Sequence, residues 1–277
     1  MQFGVSTHLF HDQRLSRTHL AHIAAHGFEA VEVFATRSHF DYHDAAAIAQ
    51  LGDWLKETGL ALHGIHAPIV ESMAAGDQWG AAISIGVSDN AKRQAAVREM
   101  DAALNIARQI PAGVFVVHLG TPTVQGGENS RTAAFRSVEE ICRLAEPIGV
   151  RVSLEVIPNA ISDAASLVTM IERDLEGLRA GICLDFGHAF LMGDVPDTIE
   201  TVAEHLTTTH VHDNHGKKDD HLVPFAGRIN WDVALMTIQK VGYDGTYLME
   251  LARTGDPEEI LTKAQAARGR FEKLLAY

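Results

Sequence analysis

The chain has 277 residues, with an apolar share of 46% and a charged share of 21%, the balance of a folded globular protein and not of a disordered one. Its formal net charge of −13 argues against a broad surface for nucleic acid, whose phosphates are held chiefly by Lys and Arg, though a local basic pocket stays open. No run is apolar enough for long enough to span a bilayer, and the first residues already read as a strand, so a soluble, cytoplasmic protein is expected. Cys142 and Cys183 have neither the spacing of a metal clip nor the density of a disulfide framework, and buried free thiols are expected.

In chain order the pattern alternates between strand and helix throughout. A strand over 2–7 precedes a helix over 16–26, with Gly27 placed as its stop; a strand over 28–34 leads through a polar segment to Asp44, a good N-cap for a helix ending near Gly59. The third strand spans 60–66, followed by a connection over 67–88 too long for a simple turn. One helix is expected over 89–109, where Ala96, Met100, Ala103, Leu104 and Ala107 share a face. The fourth strand spans 113–118, then a Gly-, Thr- and Pro-rich loop over 119–129 and a helix to about 147. Strands follow over 150–156, 180–185, 207–212 and 245–250, with helices over 163–174, 194–205, 231–241 and 256–275. The loop over 213–230 is the most charged and His-rich stretch.

No linker or composition shift interrupts this alternation, so residues 1–277 form one expected domain. Near-continuous apolar strands such as Val114 to Val117 fit a parallel sheet covered on both faces. A doubly wound open sheet is disfavoured, because no Gly-rich phosphate fingerprint follows the first strand. The third through eighth strands end on His66, His118, Glu155, Asp185, His212 and Glu250, all metal-binding residue types. A closed (β/α)8 barrel gathers the carboxyl ends of its strands on one face, which makes an α/β single-barrel fold and a metal-dependent enzyme the expectation.

Glu155, Asp185 and Glu250 lie in apolar strands almost free of basic residues. An unpaired buried carboxylate costs several kcal/mol, so three of them call for a cation. In Thr209-His-Val-His-Asp213, period-two alternation sends His210 and His212 to the same face, and His212 is favoured as ligand because it lies nearer the mouth. Three acids and one imidazole suit Mn²⁺, Mg²⁺ or Co²⁺. Zn²⁺ gains as further histidines join. Candidates to join are His66, His118, His188 three residues past Asp185, and the pair Asp219 and His221; together they could hold two or three ions.

The series Glu155, Asp185-x-x-His188, His212 and Glu250 resembles the single-metal site of ketose 3-epimerases, and Gly227-Arg-Ile-Asn-Trp231 resembles the Gly-x-Ile-x-Trp element of those enzymes. Essentially the whole chain is similar to the xylose-isomerase-like TIM-barrel superfamily, which also contains the endonuclease IV family. His66, His118, Glu155, Asp185, His188, His212, Asp219, His221 and Glu250 resemble the nine ligands with which that second family holds three zinc ions and cuts DNA. Ile69 and Val70 replace its aromatic wedge, Asp220 replaces a basic residue, and the strong negative charge counts against DNA cleavage.

The expectation is therefore a divalent-metal-dependent isomerase or epimerase of a sugar, sugar phosphate, sugar acid or polyol. The ion would bind carbonyl and hydroxyl oxygens and stabilise an enediolate while Glu155 and Glu250 exchange the proton. His188, with His66 and His118, would contact substrate oxygens, and Lys218 or Arg228 would hold a carboxylate or phosphate. The expected partner is a small carbohydrate-like molecule, with no nucleic acid or membrane; homo-oligomerisation is left open. The rival readings are a multi-zinc phosphoesterase and a sugar-binding protein with a degenerate site, the latter disfavoured by the complete ligand set.

Overall fold

The computed structural model describes residues 1–74, 78–122 and 129–276. Apolar, β-branched segments become short strands, and most of the helices begin where a polar side chain, such as Asp44, Asp89, Ser130 or Asp256, accepts from the first free N–H groups. In chain order these are β1 (Gln2–Ser6), α1 (Arg17–Ala25), β2 (Ala30–Phe34), α2 (Ala45–Thr58), β3 (Ala61–His66), β4 (Met73–Ala74), β5 (Gln78–Trp79), α3 (Asn90–Ala103), α4 (Asn105–Gln109) and β6 (Val114–Val117). Then come α5 (Arg131–Ala145), β7 (Arg151–Glu155), α6 (Ala164–Thr169), β8 (Ala180–Asp185), α7 (Phe186–Met192), α8 (Val195–Val202), β9 (Leu206–Val211), α9 (Trp231–Lys240), β10 (Thr246–Met249) and α10 (Pro257–Leu275). Asp44 accepts from Ala46 N at the start of α2, and Gly59 closes that helix at φ 74°, a left-handed conformation that glycine adopts without strain.

Eight strands close into a parallel barrel in the order β1-β10-β9-β8-β7-β6-β3-β2, while β4 and β5 form a separate antiparallel hairpin. That hairpin occupies the expected connection over 67–88, of which 75–77 lie outside the described residues, as do 123–128 of the expected loop over 119–129. Several expected helices have different outlines. The helix over 89–109 has an irregularity at Leu104, although Leu104 N still bonds Met100 O and Arg108 N bonds Leu104 O. The helix over 163–174 ends in a π-turn at Met170–Asp174, and α7 was not anticipated. Its cap is Asp185, whose acidic side chain the sequence suggests only as a ligand.

Alternation along each strand divides the molecule into two shells. Outward residues such as Val31, Val33, Phe115, Val117, Val152 and Leu154 join one buried apolar cluster with helix residues including Leu51, Ile141, Leu235 and Phe271. Inward residues toward the carboxyl end are polar and buried: Ser6, His66, Glu155, Asp185 and His210, with Glu32 deeper in the barrel. The cysteines are free and buried, and burial pushes the Cys142 thiol up to about 12. Among the described residues no helix is long and apolar enough to cross a membrane.

Candidate metal centre

Every expected strand-end residue lies at the same rim. β3, β7 and β8 end on His66, Glu155 and Asp185, and β6, β9 and β10 are followed at once by His118, His212 and Glu250. Donor atoms of Glu155, Asp185, His210 and Glu250 all fall within 4.8 Å of one another. Two flanking groups meet the same limit, one of His66, His118 and Glu155, and one of His188, His212, Asp219 and His221. All nine acids and histidines named as ligands are thus brought together, with one difference in arrangement. The imidazole among the three central carboxylates is His210, whose Nδ1 lies 3.4 Å from both Glu155 Oε2 and Glu250 Oε2 and 3.9 Å from Asp185 Oδ2. His212 sits toward the outer group, with its Nε2 3.0 Å from Asp185 Oδ2 and its ring stacked on His221 at 4.0 Å. Gly187 makes room for it: a Cβ there would come within 2.0 Å of His212 Cε1.

Three of the rings are held from behind. His66 Nδ1 donates to Ala67 O at 2.8 Å, His188 Nδ1 to Val156 O at 3.0 Å and His221 Nδ1 to Glu250 O at 3.0 Å. Each of these bonds leaves Nε2 directed at an acid: His66 at Glu155 Oε2, and His188 and His221 at Asp219 Oδ2. Asp185 does two jobs, since its Oδ1 caps α7 by accepting from His188 N at 2.6 Å while Oδ2 faces His212.

Burial alone would push the carboxyl groups up. The imidazoles reverse this: His118 and His210 hold Glu155 well below the usual carboxylate range, and His188 and His212 lower Asp185. Burial likewise opposes charge on the rings, but Asp185 and Asp219 raise His188 well above its usual value, and Asp219 with Glu250 raises His221 to about 10. His8 has the opposite balance. Burial and the neighbouring His221 lower it well below its usual value.

The residues fit a cation on two counts. The donor set combines carboxylates and imidazoles. Buried Glu155 Oε1, His210 Nδ1, His212 Nδ1 and Asp219 Oδ1 also have no hydrogen-bond partner, a costly condition that a metal ion relieves. His188 Nδ1 comes within 3.3 Å of Glu155 Oε1 but is directed to Val156 O, so proximity there is not a hydrogen bond.

Over the mouth, Ile69, Val70, Trp79, Ala82 and Ile83 roof a cavity of about 80 Å³ whose floor includes His66, His118, Glu155, His188, His221 and Glu250. A larger basin of about 740 Å³ lies beyond the roof against α3, lined by Arg37, Lys92, Arg98, Glu71 and Glu99. Among the described residues it shares only Ala82 and Ile83 with the first cavity and holds none of the clustered donors, so the chemistry belongs to the smaller one. Lys218 and Arg228 are exposed, and neither lines the mouth cavity. The loop that carries them is organised by buried Asp213, which accepts from Asn214 N, Phe225 N, Ile229 N and Trp231 Nε1. A Cβ at Gly227 would sit 2.3 Å from Asp213 Oδ1, which explains the Gly-x-Ile-x-Trp spacing as loop architecture.

Sequence reasoning missed two site residues. His8 follows β1 in a 3-10 turn, one residue past the expected end of the first strand, and lines the cavity. Glu32 is an acid inside the apolar strand β2, the same signal that marked Glu155, but it is not the strand's last residue.

The sequence pattern of the family described as xylose isomerase-like TIM barrel matches residues 20–270. An uncharacterised protein of Methanocaldococcus jannaschii is 27% identical over 260 residues, covering 90% of this chain and 83% of that protein. A crystal structure of a D-tagatose 3-epimerase-like protein superposes with a TM-score of 0.81 at 24% identity, covering 100% of this chain and 98% of that one. The D-psicose 3-epimerase of Clostridium cellulolyticum H10, solved with D-tagatose, gives a TM-score of 0.80 at 18% identity and 99% coverage of both chains. At these identities the structural likeness speaks to the fold.

Proposed function

Because the chain belongs to the xylose isomerase-like TIM-barrel family, we propose that it is a divalent-metal-dependent isomerase or epimerase acting on a sugar, polyol or related carbonyl compound. The observation that carries this reading is the buried central group of Glu155, Asp185, His210 and Glu250, with His210 Nδ1 and Glu155 Oε1 unsatisfied. These four hold the ion in the proposal, with His66, His118, His188, His212, Asp219 and His221 available for a further ion or for substrate oxygens. When bound, a divalent cation polarises a carbonyl and makes the adjacent carbon more acidic. Glu155 and Glu250, three strands apart in the ring, then remove and return the proton at that carbon, and His188 steadies a substrate oxygen.

The cavity favours an uncharged substrate. None of its described lining residues is Lys or Arg, and segments 75–77 and 123–128 contain neither.

The test has two arms. Wild-type protein loaded with Mn²⁺, Co²⁺ or Zn²⁺ is incubated in D₂O with neutral ketoses and inositol-type ketones, and deuterium is expected at the carbon beside the carbonyl. Conversion without any deuterium would remove the two glutamates from proton transfer. Asp185→Asn is expected to abolish tight ion binding while the circular dichroism spectrum is retained; stoichiometric metal in that variant would sink the assignment. The second reading, a multi-zinc phosphoesterase, is favoured by the two flanking donor groups. Two or three Zn²⁺ per chain together with incision of abasic-site DNA would establish it in place of the first.

A further inference from the structure

Resting on the metal-centre reading above, we infer that Glu32 is a positioning residue that fixes the tautomer of His210 and thereby sets the affinity of the central group for its ion. Glu32 is fully buried inside the barrel. One oxygen, Oε1, accepts from Ser6 Oγ at 3.1 Å, and the other, Oε2, lies 3.2 Å from His210 Nε2. β2 and the neighbouring β3 slip register between Val31 and Glu32, so that Glu32 pairs with Gly64.

His210 is oriented oppositely to its neighbours. His66, His188 and His221 turn Nδ1 to a backbone carbonyl and present Nε2 to the site. His210 instead turns Nε2 to Glu32 and presents Nδ1, which has no hydrogen-bond partner, to Glu155 and Glu250. A neutral imidazole has one proton, and a cation needs the nitrogen without it. A carboxylate behind Nε2 holds the proton there and leaves the Nδ1 lone pair to the ion. Lacking that acceptor, the proton is drawn to Nδ1 by the two glutamates in front, and the donor is lost. Backbone carbonyls serve His66, His188 and His221; at His210 a side chain from β2 does so.

Glu32→Gln keeps the shape but replaces the anionic acceptor with an amide. Chelator competition with Zn²⁺ and Co²⁺ should show affinity lowered by about 10- to 100-fold, the range for losing such an outer partner. The Co²⁺ absorption bands should shift while the thermal midpoint of the metal-free protein stays close to wild type. In a His210→Ala background the same change should cost nothing further, which a purely structural role would not produce. Nitrogen NMR of the Zn²⁺-loaded wild-type protein gives a readout independent of whether the variants fold: the proton of His210 is expected on Nε2. Wild-type affinity in Glu32→Gln, or a metal-bound Nε2 at His210, overturns the inference while leaving the metal centre standing. Wild-type protein that binds no ion overturns both.

Discussion

Adjacent residues of β7 face two different environments. Val152 and Leu154 point outward into the apolar layer under the helices, and Ser153 and Glu155 point into a barrel end filled with acids and imidazoles. In the outer layer any well-fitting hydrophobe contributes about 25 cal/mol per Å² buried, so energy is spread over many residues. In the inner region each charge is tolerable only because specific partners stand opposite it, so energy is concentrated and roles are not interchangeable. The lesson is that one strand supplies stability through one face and chemistry through the other.

The largest expected effect breaks the inner region. Glu155→Gln or Glu250→Gln should lower turnover by about two to four orders of magnitude, the scale for a positioned acid or base. Steady-state kinetics on the substrate found by deuterium exchange measures it, and a loss below threefold would contradict the assigned role. On the outer face, Phe115→Ala should cost roughly 3–5 kcal/mol of unfolding free energy by leaving a cavity. Denaturant titration checks this, and ion stoichiometry should stay at the wild-type value; loss of the ion would show that the two shells are not separable.

His39 sharpens the contrast, being a buried imidazole with no acid opposite it. Its Nδ1 donates to Gln13 O at 2.6 Å, its Nε2 has no partner, and burial lowers it to about 4. The unfolded chain takes up a proton near pH 6.5, while the folded chain resists until about 4. The stability that neutral His39 confers is therefore present above pH 6.5 and lost as pH falls toward 4. At about 1.4 kcal/mol per pH unit the loss is on the order of 3 kcal/mol. His39→Asn keeps a donor toward Gln13 O and should flatten the pH dependence over this window in urea titrations; an unchanged slope would mean that His39 is not the group responsible. The smallest effect belongs to neither shell. Asp44→Ala removes the acceptor for Ala46 N at the start of α2 and should cost about 1 kcal/mol with activity untouched, measured by thermal unfolding.

Alternation of apolar strands and helices, with no interruption, was enough to indicate the barrel, because a parallel sheet must cover both faces. Strand-end acids without basic neighbours likewise marked Glu155, Asp185 and Glu250, since burial forces such groups to find cations. Nearness to the mouth favoured His212 over His210 from sequence, whereas the structure groups His210 with the three central acids. Both face inward by period-two alternation, and which one enters the central group depends on barrel stagger, including a register slip between Ile182 and Cys183 where β8 meets β9. Glu32 escaped notice because the rim is not its place: it lies below, behind His210, and only closure of the barrel brings β2 to β9's inner face. Lys218 and Arg228 were legible as basic loop residues, but the path of the segment that carries Arg228 is set by the bonds of Asp213 to Phe225, Ile229 and Trp231, and both basic residues end up exposed. Residue type and periodicity are local properties and survive in one dimension; the stagger of a closed barrel and the path of a loop arise from contacts between residues far apart in the chain, and only the tertiary structure decides them.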